Sequence, residues 1–397
     1  MKIDTAKNKI EELLSRGVEE IIDFNDLKKK LNSGKQLRIK LGIDPTSPNI
    51  HLGRSIPLLK LRDFQKLGHK IVLIIGDFTG TIGDTSDKES ERPMLEKKVI
   101  QKNLKNYIEQ AGKIIDITKA EIHYNSKWLS DLNYNDIGFQ ADQFSLNEFI
   151  SRENIKRRLN LGKRIVLREL LYPLMQAYDS VKIKADVELG GTDQRFNVLA
   201  GRTLQKAYKQ EPQNIIINPL IEGLDGRKMS SSWGNTVNLF DSPDEMFGKL
   251  MSLKDESIIN YFILLTRVSL DEIKKYENAI KSGVNPKEYK MKLAYKIVEF
   301  YHSENDAKQA EKNFSVQFQK KGIPENIKKI KINTGTNILE ILKKIGFVSS
   351  NSEGKRKIGE KAVKIDDVVI TDYAFTIDDA GEKIIRLGKK IAKLIVK

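Results

Sequence analysis

A strand, a turn, a helix and a second strand follow one another early in the chain, and this order constrains the fold most. The apolar strand Leu37–Ile43 ends in the turn Asp44–Pro48. Apolar residues then recur at helical spacing over His51–Leu67, and Gly68 stands where that helix would end. Ile71–Ile75 is a continuous apolar run, typical of a strand buried on both faces of a parallel sheet. We therefore predict a βαβ unit with a ligand at the carboxyl ends of its strands.

Composition narrows the classes of protein that the chain can be. The 397 residues carry a net charge of +15, which either attracts polyanions such as nucleic acid or reflects a general richness in lysine. There is no cysteine, which excludes disulfides, thiolate zinc sites and cysteine nucleophiles and fits a reducing cytoplasm. The four histidines show no metal-binding spacing, so we predict no metal site. No apolar run is long enough to cross a membrane, so we expect no membrane partner.

The first segment with chemical potential is Pro45–Arg54, at the junction of strand and helix. A helix N-terminus can hold phosphate, and His51 there can donate to oxygens that gain charge in a transition state. Gly53 has no side chain, so a flat base can lie against the backbone. The alternative is an ordinary turn with Asn49 as the helix cap.

The second segment is Gly226–Ser232, Gly-Arg-Lys-Met-Ser-Ser-Ser, in a polar loop. A lysine beside hydroxyls and backbone amides suits a pyrophosphate group. A flexible surface loop is the alternative.

Together these segments resemble the paired HxGH-like and KMSxS-like signatures of class I aminoacyl-tRNA synthetases. Three more stretches, Gly42–Thr46, Ile75–Asp84 and Tyr172–Gln194, make nearly the whole chain similar to bacterial tyrosyl-tRNA synthetases. The resemblance implies an α/β fold with three domains. These are a Rossmann-like doubly wound parallel-sheet catalytic domain over 1–225, a KMSKS-like loop and helical domain over 226–325, and a small C-terminal S4-like α/β RNA-binding domain over 337–397. We expect a linker over 322–336.

The resemblance also implies an activity. The enzyme would activate tyrosine with ATP and Mg²⁺, without a tightly bound cofactor, and transfer it to tRNA(Tyr), by positioning and charge stabilisation. It implies a cytoplasmic homodimer with the helical stretch near 128–170 in the interface.

For tyrosine, the resemblance implies that Asp179 accepts the phenolic hydroxyl, so that phenylalanine would leave this carboxylate without a partner. Tyr172, Gln176 and Asp84 would hold the substrate ammonium, with Thr79 and Lys40 completing the tyrosine site. The catalytic and ATP-binding residues that it implies are Thr46, His51, Arg54, Lys88, Arg92, Lys228 and Ser231, and, around the adenylate, Asp44, Gly53, Gly191, Asp193, Gln194 and Met229. Each one alone has a structural explanation as a helix cap, a core residue or a solvated charge.

The chain departs from the family pattern at three positions. Arg54 occupies the place of the second signature histidine, and Ser231 that of the second loop lysine. We hypothesise that Arg54 or Arg227 supplies the positive charge that is missing at Ser231. Lys40 stands where one branch of the family has a second phenol-binding tyrosine.

The tail over 337–397 resembles the S4-type RNA-binding module. Lys355, Arg356 and Lys357 are the candidates for phosphate contact. The alternative is a small lysine-rich domain with no nucleic-acid partner. For the whole chain two other functions stay open, a catalytically silent RNA-binding relative and a tryptophanyl-tRNA synthetase.

Overall fold

The computed structural model describes residues 2–86, 94–318, 327–388 and 390–397. The chain divides into two compact units, Met1–Lys308 and Gln309–Lys397. The first unit contains the predicted catalytic domain and most of the predicted helical domain, and the separation of these two stays a prediction. In the described ranges, no helix combines the length and the apolar character needed to cross a membrane.

A six-stranded sheet organises the first unit. Its strands are β1 (Glu20–Ile22), β2 (Arg38–Ile43), β3 (Lys70–Ile75), β4 (Glu121–Tyr124), β5 (Val187–Gly191) and β6 (Asn214–Asn218). The order across the sheet is β1-β6-β5-β2-β3-β4, and every neighbouring pair is parallel except β1 with β6. The predicted parallel α/β sheet is therefore confirmed.

The position of the ligand crevice follows from the strand order. The chain runs from β2 outward to β3 and β4, and then returns to the opposite side of β2 to form β5 and β6. In register, β2 pairs Leu41 with Leu73 of β3, and Ile39 with Val187 of β5. The connections diverge between β2 and β5, which opens a crevice beyond their carboxyl ends.

Helices cover the sheet and build the rest of this unit. They are α1 (Lys7–Ser15), α2 (Phe24–Asn32), α3 (Leu52–Lys66), α4 (Thr79–Ile82), α5 (Lys97–Gly112), α6 (Ser126–Leu129), α7 (Tyr134–Ala141), α8 (Leu146–Ile150), α9 (Glu153–Asn160), α10 (Leu167–Ile183), α11 (Arg195–Ala207), α12 (Pro243–Met251), α13 (Ile258–Leu265), α14 (Leu270–Lys281), α15 (Pro286–Tyr301) and α16 (Glu304–Phe318), the last of which extends past Lys308. The predicted βαβ unit is confirmed, because α3 connects the parallel strands β2 and β3. Gly68 follows α3 at a φ of +92°, as predicted for the residue that ends the helix.

The second unit is a small α/β fold. Its elements are β7 (Lys328–Ile332), β8 (Thr336–Asn337), α17 (Ile338–Lys344), α18 (Asn351–Gly359), β9 (Val363–Ile365), β10 (Val368–Val369), β11 (Thr376–Ile377), β12 (Gly381–Leu387) and β13 (Lys390–Val396). Five of the strands form a sheet in the order β10-β9-β12-β13-β7. Asp366 and Asp367 form the β9–β10 turn with φ of 47° and 66°, as a tight hairpin requires.

One expectation for this part of the chain was wrong. Residues 328–332 were predicted to lie in a linker, but they form β7, which pairs in parallel with β13. The lysines of β7 made the segment look like a linker. The apolar residues of β7 face the core of this unit: Ile332 is buried there and Ile330 packs against it.

Candidate active site

A cavity of about 590 Å³ lies at the carboxyl ends of β2 and β5. Its walls come from the end of β2, the start of α3, helix α10, the end of β5 and the loop over 228–232. The predicted site residues that line it are Asp44, Thr46, His51, Gly53, Arg54, Thr79, Asp84, Tyr172, Gln176, Asp179, Gly191, Asp193, Gln194, Lys228, Met229 and Ser231. The fold thus brings together side chains from distant parts of the sequence.

Three groups of predicted site residues lie elsewhere. Lys40 does not line the cavity and is completely buried behind it. Lys88 and Arg92 lie outside the described residues. Lys355, Arg356 and Lys357 belong to the second unit.

Asp179 is a buried carboxyl group with two protein donors. The Trp128 indole Nε1 donates to Oδ1 at 2.8 Å, and the Asn125 amide donates to Oδ2 at 3.3 Å. Burial raises the pKa of Asp179 to about 7, although the Lys40 charge and these hydrogen bonds act in the opposite direction. The expectation that this carboxylate has no partner without a phenol was wrong. Sequence reasoning missed Asn125 and Trp128, yet they follow the carboxyl end of β4, where ligand-binding residues of a parallel sheet concentrate.

Two further carboxylates line the same cavity. Asp44 accepts hydrogen bonds from the Tyr172 hydroxyl at 2.9 Å and from the Thr79 hydroxyl at 2.8 Å. Asp84 accepts one from the Gln194 amide at 2.6 Å. Burial, reinforced by the charge of Asp44, raises the pKa of the Tyr172 hydroxyl, so it stays protonated and remains a donor. Carboxylates held in place by polar neighbours suit a bound cation such as an ammonium group.

His51 caps the N-terminus of α3. Its Nδ1 accepts from the Arg54 backbone N–H at 3.4 Å, which leaves the ring proton on Nε2. Burial lowers the pKa of His51 to about 3, with smaller contributions from the charges of Arg54 and Lys228. The ring is therefore neutral at physiological pH, and its Nε2–H is a donor at the positive end of a helix.

Arg54 is held in the cavity by two oxygens. Its guanidinium donates to the Tyr107 hydroxyl at 2.7 Å and to the Thr46 hydroxyl at 3.3 Å. The fixed planar group offers several N–H donors, a geometry that matches phosphate oxygens. Arg54 thus lies beside Thr46 and His51, where a triphosphate is expected.

The loop with Lys228 is organised by Asn235. The Asn235 side chain accepts from the Ser230 backbone N–H at 2.8 Å and donates to the Lys228 carbonyl at 3.1 Å. The Lys228 ammonium donates to Asp193 at 2.8 Å. Arg227 instead pairs with Asp225 at 2.8 Å and stacks on Trp233, and it does not line the cavity. Of the two arginines proposed to supply the missing charge, only Arg54 reaches the site.

The second unit carries the predicted basic helix. Lys355, Arg356 and Lys357 lie on α18, where the Lys355 ammonium is 5.0 Å from the centre of the Tyr373 ring. Lys357 pairs with Glu360 at 2.8 Å. Lys355, Arg356 and Tyr373 are exposed, whereas Lys357 is half-buried.

A family of known proteins matches this chain over most of its length. The family model described as tRNA synthetases class I (W and Y) matches residues 6–319. The chain therefore belongs to the class I tRNA synthetases of the W and Y family.

Similar proteins narrow the relationship within that family. The tyrosine–tRNA ligase of Thermotoga maritima is 45% identical over 95% of both chains, and that of Carboxydothermus hydrogenoformans is 43% identical over 98% of both chains. The fold also matches a C-terminally truncated mitochondrial tyrosyl-tRNA synthetase of Aspergillus nidulans. That match has a TM-score of 0.66 and 20% identity, and covers 78% of this chain and 94% of the other.

Proposed function

We propose that this chain is a tyrosine–tRNA ligase. It activates tyrosine with ATP to give tyrosyl-adenylate and pyrophosphate, and it then transfers tyrosine to the 3′ end of tRNA(Tyr). The observation that carries the proposal is the buried carboxyl of Asp179 in the same cavity as His51, Arg54 and Lys228. Such a cavity combines an acceptor for a phenol with donors for phosphate. Relatives named tyrosine–tRNA ligase at 45% and 43% identity support it.

In the first step an oxygen of the tyrosine carboxylate bonds to the α-phosphorus of ATP. The bond from this phosphorus to the oxygen that bridges to the β-phosphorus breaks, and pyrophosphate leaves with the electron pair. Neutral His51, Thr46, Arg54 and Lys228 stabilise the charge that develops on the phosphate oxygens. In the second step a ribose hydroxyl of the tRNA attacks the tyrosyl carbonyl carbon. The bond from this carbon to the phosphate oxygen breaks, AMP leaves with the electron pair, and the hydroxyl proton passes to solvent.

Whereas the phosphates are bound by donors, tyrosine is recognised by hydrogen-bond acceptors for its phenol and its ammonium. Asp179 accepts the phenolic hydroxyl, while Asp84, Tyr172 and Gln176 surround the ammonium. Asp44, Gly191, Asp193 and Gln194 lie around the ribose and the amino-acid backbone, with Gly53 and Met229 beside the base. A phenylalanine side chain adds no donor for Asp179, so a buried carboxyl loses a hydrogen bond that tyrosine supplies.

The proposal includes further parts. Mg²⁺ enters with ATP, and Lys88 and Arg92 contact the leaving pyrophosphate. As the family resemblance implies, a catalytic domain over 1–225 is followed by a helical domain over 226–325. The S4-like unit binds tRNA through Lys355, Arg356 and Lys357. The absence of cysteine from the sequence supports a cytoplasmic location.

The proposal also includes a homodimer. Large apolar side chains of the stretch near 128–170 are exposed in the single chain: Tyr134 at 93%, Leu146 at 64%, Leu161 at 63% and Leu167 at 78%. Large apolar side chains with this exposure are typical of a protein interface.

Amino-acid-dependent exchange between ATP and pyrophosphate tests the proposed function. We expect exchange with tyrosine and a rate with phenylalanine that is lower by ~10⁴-fold or more, the level that a site built for a hydroxyl reaches. Exchange driven by tryptophan would instead identify a tryptophanyl enzyme. No exchange with any amino acid, together with tRNA binding, would identify a silent RNA-binding relative.

A further inference from the structure

A network of buried polar side chains lies behind the cavity, between the sheet and α10. Its centre is the ion pair between Lys40 of β2 and Glu188 of β5, whose Nζ and Oε1 are 2.9 Å apart. The two side chains are 0% and 1% exposed. Taking both charges out of water costs several kcal/mol per ion, roughly, and an apolar pair of similar size is often no less stable. Stability alone therefore does not account for the pair.

Lys40 has an acceptor for each of its three protons. Besides Glu188, its ammonium donates to the Ser180 hydroxyl at 2.7 Å and to the Gln176 backbone carbonyl at 2.9 Å. Both of these acceptors belong to α10, the helix that also carries Asp179. The ammonium thus ties the sheet to the turn of α10 that faces the cavity.

Glu188 determines which end of the Gln176 amide meets the cavity. An ionised carboxylate only accepts hydrogen bonds, and Oε1 of Glu188 accepts from the Gln176 amide nitrogen at 3.1 Å. If the amide turned over, its oxygen would face a carboxylate oxygen. Gln176 lines the cavity, and its contact with Glu188 leaves the amide oxygen available to accept from a ligand. An oxygen acceptor suits an ammonium, whereas an amide N–H would repel one.

Further partners hold the second oxygen of Glu188. The other oxygen of Glu188 accepts from the Ser180 hydroxyl at 3.0 Å and from the Gln213 amide. Helix α11 packs against it through Gly201, where a Cβ would lie 2.5 Å from the Gln213 nitrogen and 3.3 Å from Glu188 Oε2. The absence of a side chain at this position lets the helix backbone cover the carboxylate.

We propose that the Lys40–Glu188 ion pair is a positioning unit for recognition of the substrate ammonium, because it holds the Gln176 amide with its oxygen toward the cavity. The inference rests on the proposed function, which assigns Gln176 to that ammonium. It gives Lys40 a role different from the predicted one. Lys40 does not touch the substrate; it orients the residue that does.

The test uses two ligands that differ only in the group at issue. Tyrosine carries the ammonium, and 3-(4-hydroxyphenyl)propionate keeps the phenol and the carboxylate without it. In the variant Glu188→Gln the neutral amide no longer dictates the orientation of Gln176. We expect the dissociation constant for tyrosine to rise ~10–100-fold, the range for a hydrogen bond to a charged group, while that for the analogue changes less than ~3-fold.

Kinetics give a second measurement. In pyrophosphate exchange the KM for tyrosine rises in the variant, and the KM for ATP stays within ~2-fold, as expected for loss of one substrate's binding contacts. The matched control is Lys60→Met, another buried lysine, whose ammonium donates to the Leu13 and Arg16 carbonyls away from the cavity. We expect that control to lower stability without separating the two ligands.

Equal losses for tyrosine and for the analogue in Glu188→Gln, or no loss for either, would overturn the inference. If Glu188→Gln does not fold, Ser180→Ala is judged by the same two dissociation constants. A wild-type chain that binds no tyrosine would overturn the proposed function, and the inference with it. A wild type that binds tyrosine, with a variant that does not discriminate, would overturn the inference alone.

Discussion

At the residue scale, the carboxyl of Asp179, the proposed acceptor for the phenol, carries a cost in stability. Its pKa is raised from 3.8 to about 7, so the folded chain holds this proton more tightly than the unfolded chain does. The stability that follows is complete below the unfolded pKa near 4, and it is lost as pH rises through about 7. The proposed recognition of tyrosine thus depends on a group that destabilises the folded state at neutral pH and above.

The change Asp179→Asn separates the two effects. We expect the free energy of unfolding at pH 8 to rise by ~1–3 kcal/mol, because the neutral amide has no ionisation to oppose. Tyrosine-dependent exchange falls ~100-fold or more, because a neutral amide oxygen replaces the charged acceptor for the phenol. Urea unfolding at pH 5 and at pH 8, with exchange assays beside it, gives both values. An unchanged difference in stability between the two pH values would contradict the assignment.

Arg54 is the second residue with a separate prediction. Because its guanidinium is held against Tyr107 and Thr46, Arg54→Ala removes a cation from the phosphate side of the cavity. We expect the activation rate to fall ~10–100-fold in single-turnover measurements, as for loss of one charge-stabilising donor.

Arg227→Ala is the matched control, since Arg227 pairs with Asp225 outside the cavity lining. An unchanged rate in Arg54→Ala, or an equal loss in both variants, would show that Arg54 does not replace the missing signature charge.

At the element scale, the junction of α9 and α10 depends on a buried ion pair. The Arg158 guanidinium donates to both carboxylate oxygens of Glu169, and both side chains are 1% exposed. Arg158 also donates to the Arg164 carbonyl at 2.7 Å, which holds the loop between the two helices. The start of α10, and with it Tyr172, is positioned by this pair.

Removal of one partner leaves the other charge buried. Arg158→Met is expected to lower the free energy of unfolding by ~3–5 kcal/mol, the usual cost of an unpaired buried charge. The double variant Arg158→Met with Glu169→Leu is expected to recover part of this loss. Denaturant titration of the two variants measures both values, and a double variant no more stable than the single one would argue against an unpaired charge as the cause.

At the scale of the whole molecule, two surfaces make separate predictions. Leu146 and Leu167 are 64% and 78% exposed in the proposed dimer interface. The pair of changes Leu146→Asp and Leu167→Asp places like charges there, so we expect a dimer to become a monomer in light scattering coupled to size-exclusion chromatography. A wild-type chain that is monomeric would contradict the proposed homodimer.

Changes in the basic helix α18 of the second unit are expected to reduce tRNA charging without affecting activation of tyrosine. Lys355→Glu with Arg356→Glu is expected to leave tyrosine-dependent exchange unchanged and to reduce tRNA charging ~10-fold or more, since phosphate contacts dominate affinity for nucleic acids. The wild-type rate should fall with added salt more steeply than that of the variant. Equal losses in exchange and charging would instead indicate general destabilisation.

The sequence alone determined the local elements of the site. Strand, turn and helix over 37–67, the end of the helix at Gly68 and the paired signature segments follow from side chains close together in the chain. Local pattern gave a wrong prediction where a strand pairs with a segment distant in the chain. The segment over 328–332 has the lysine-rich composition of a linker, and it forms a strand because it pairs with β13, more than 60 residues further along the chain.

Only the tertiary structure decided which groups surround each functional side chain. Trp128 and Asn125 reach Asp179 across 51 and 54 residues, and Lys40 reaches Ser180 across 140. No local periodicity encodes such contacts, because they form when parallel strands bring their carboxyl ends to one edge of the sheet. For the same reason Lys40, a candidate substrate ligand in the sequence, became a buried partner of Glu188 in the fold.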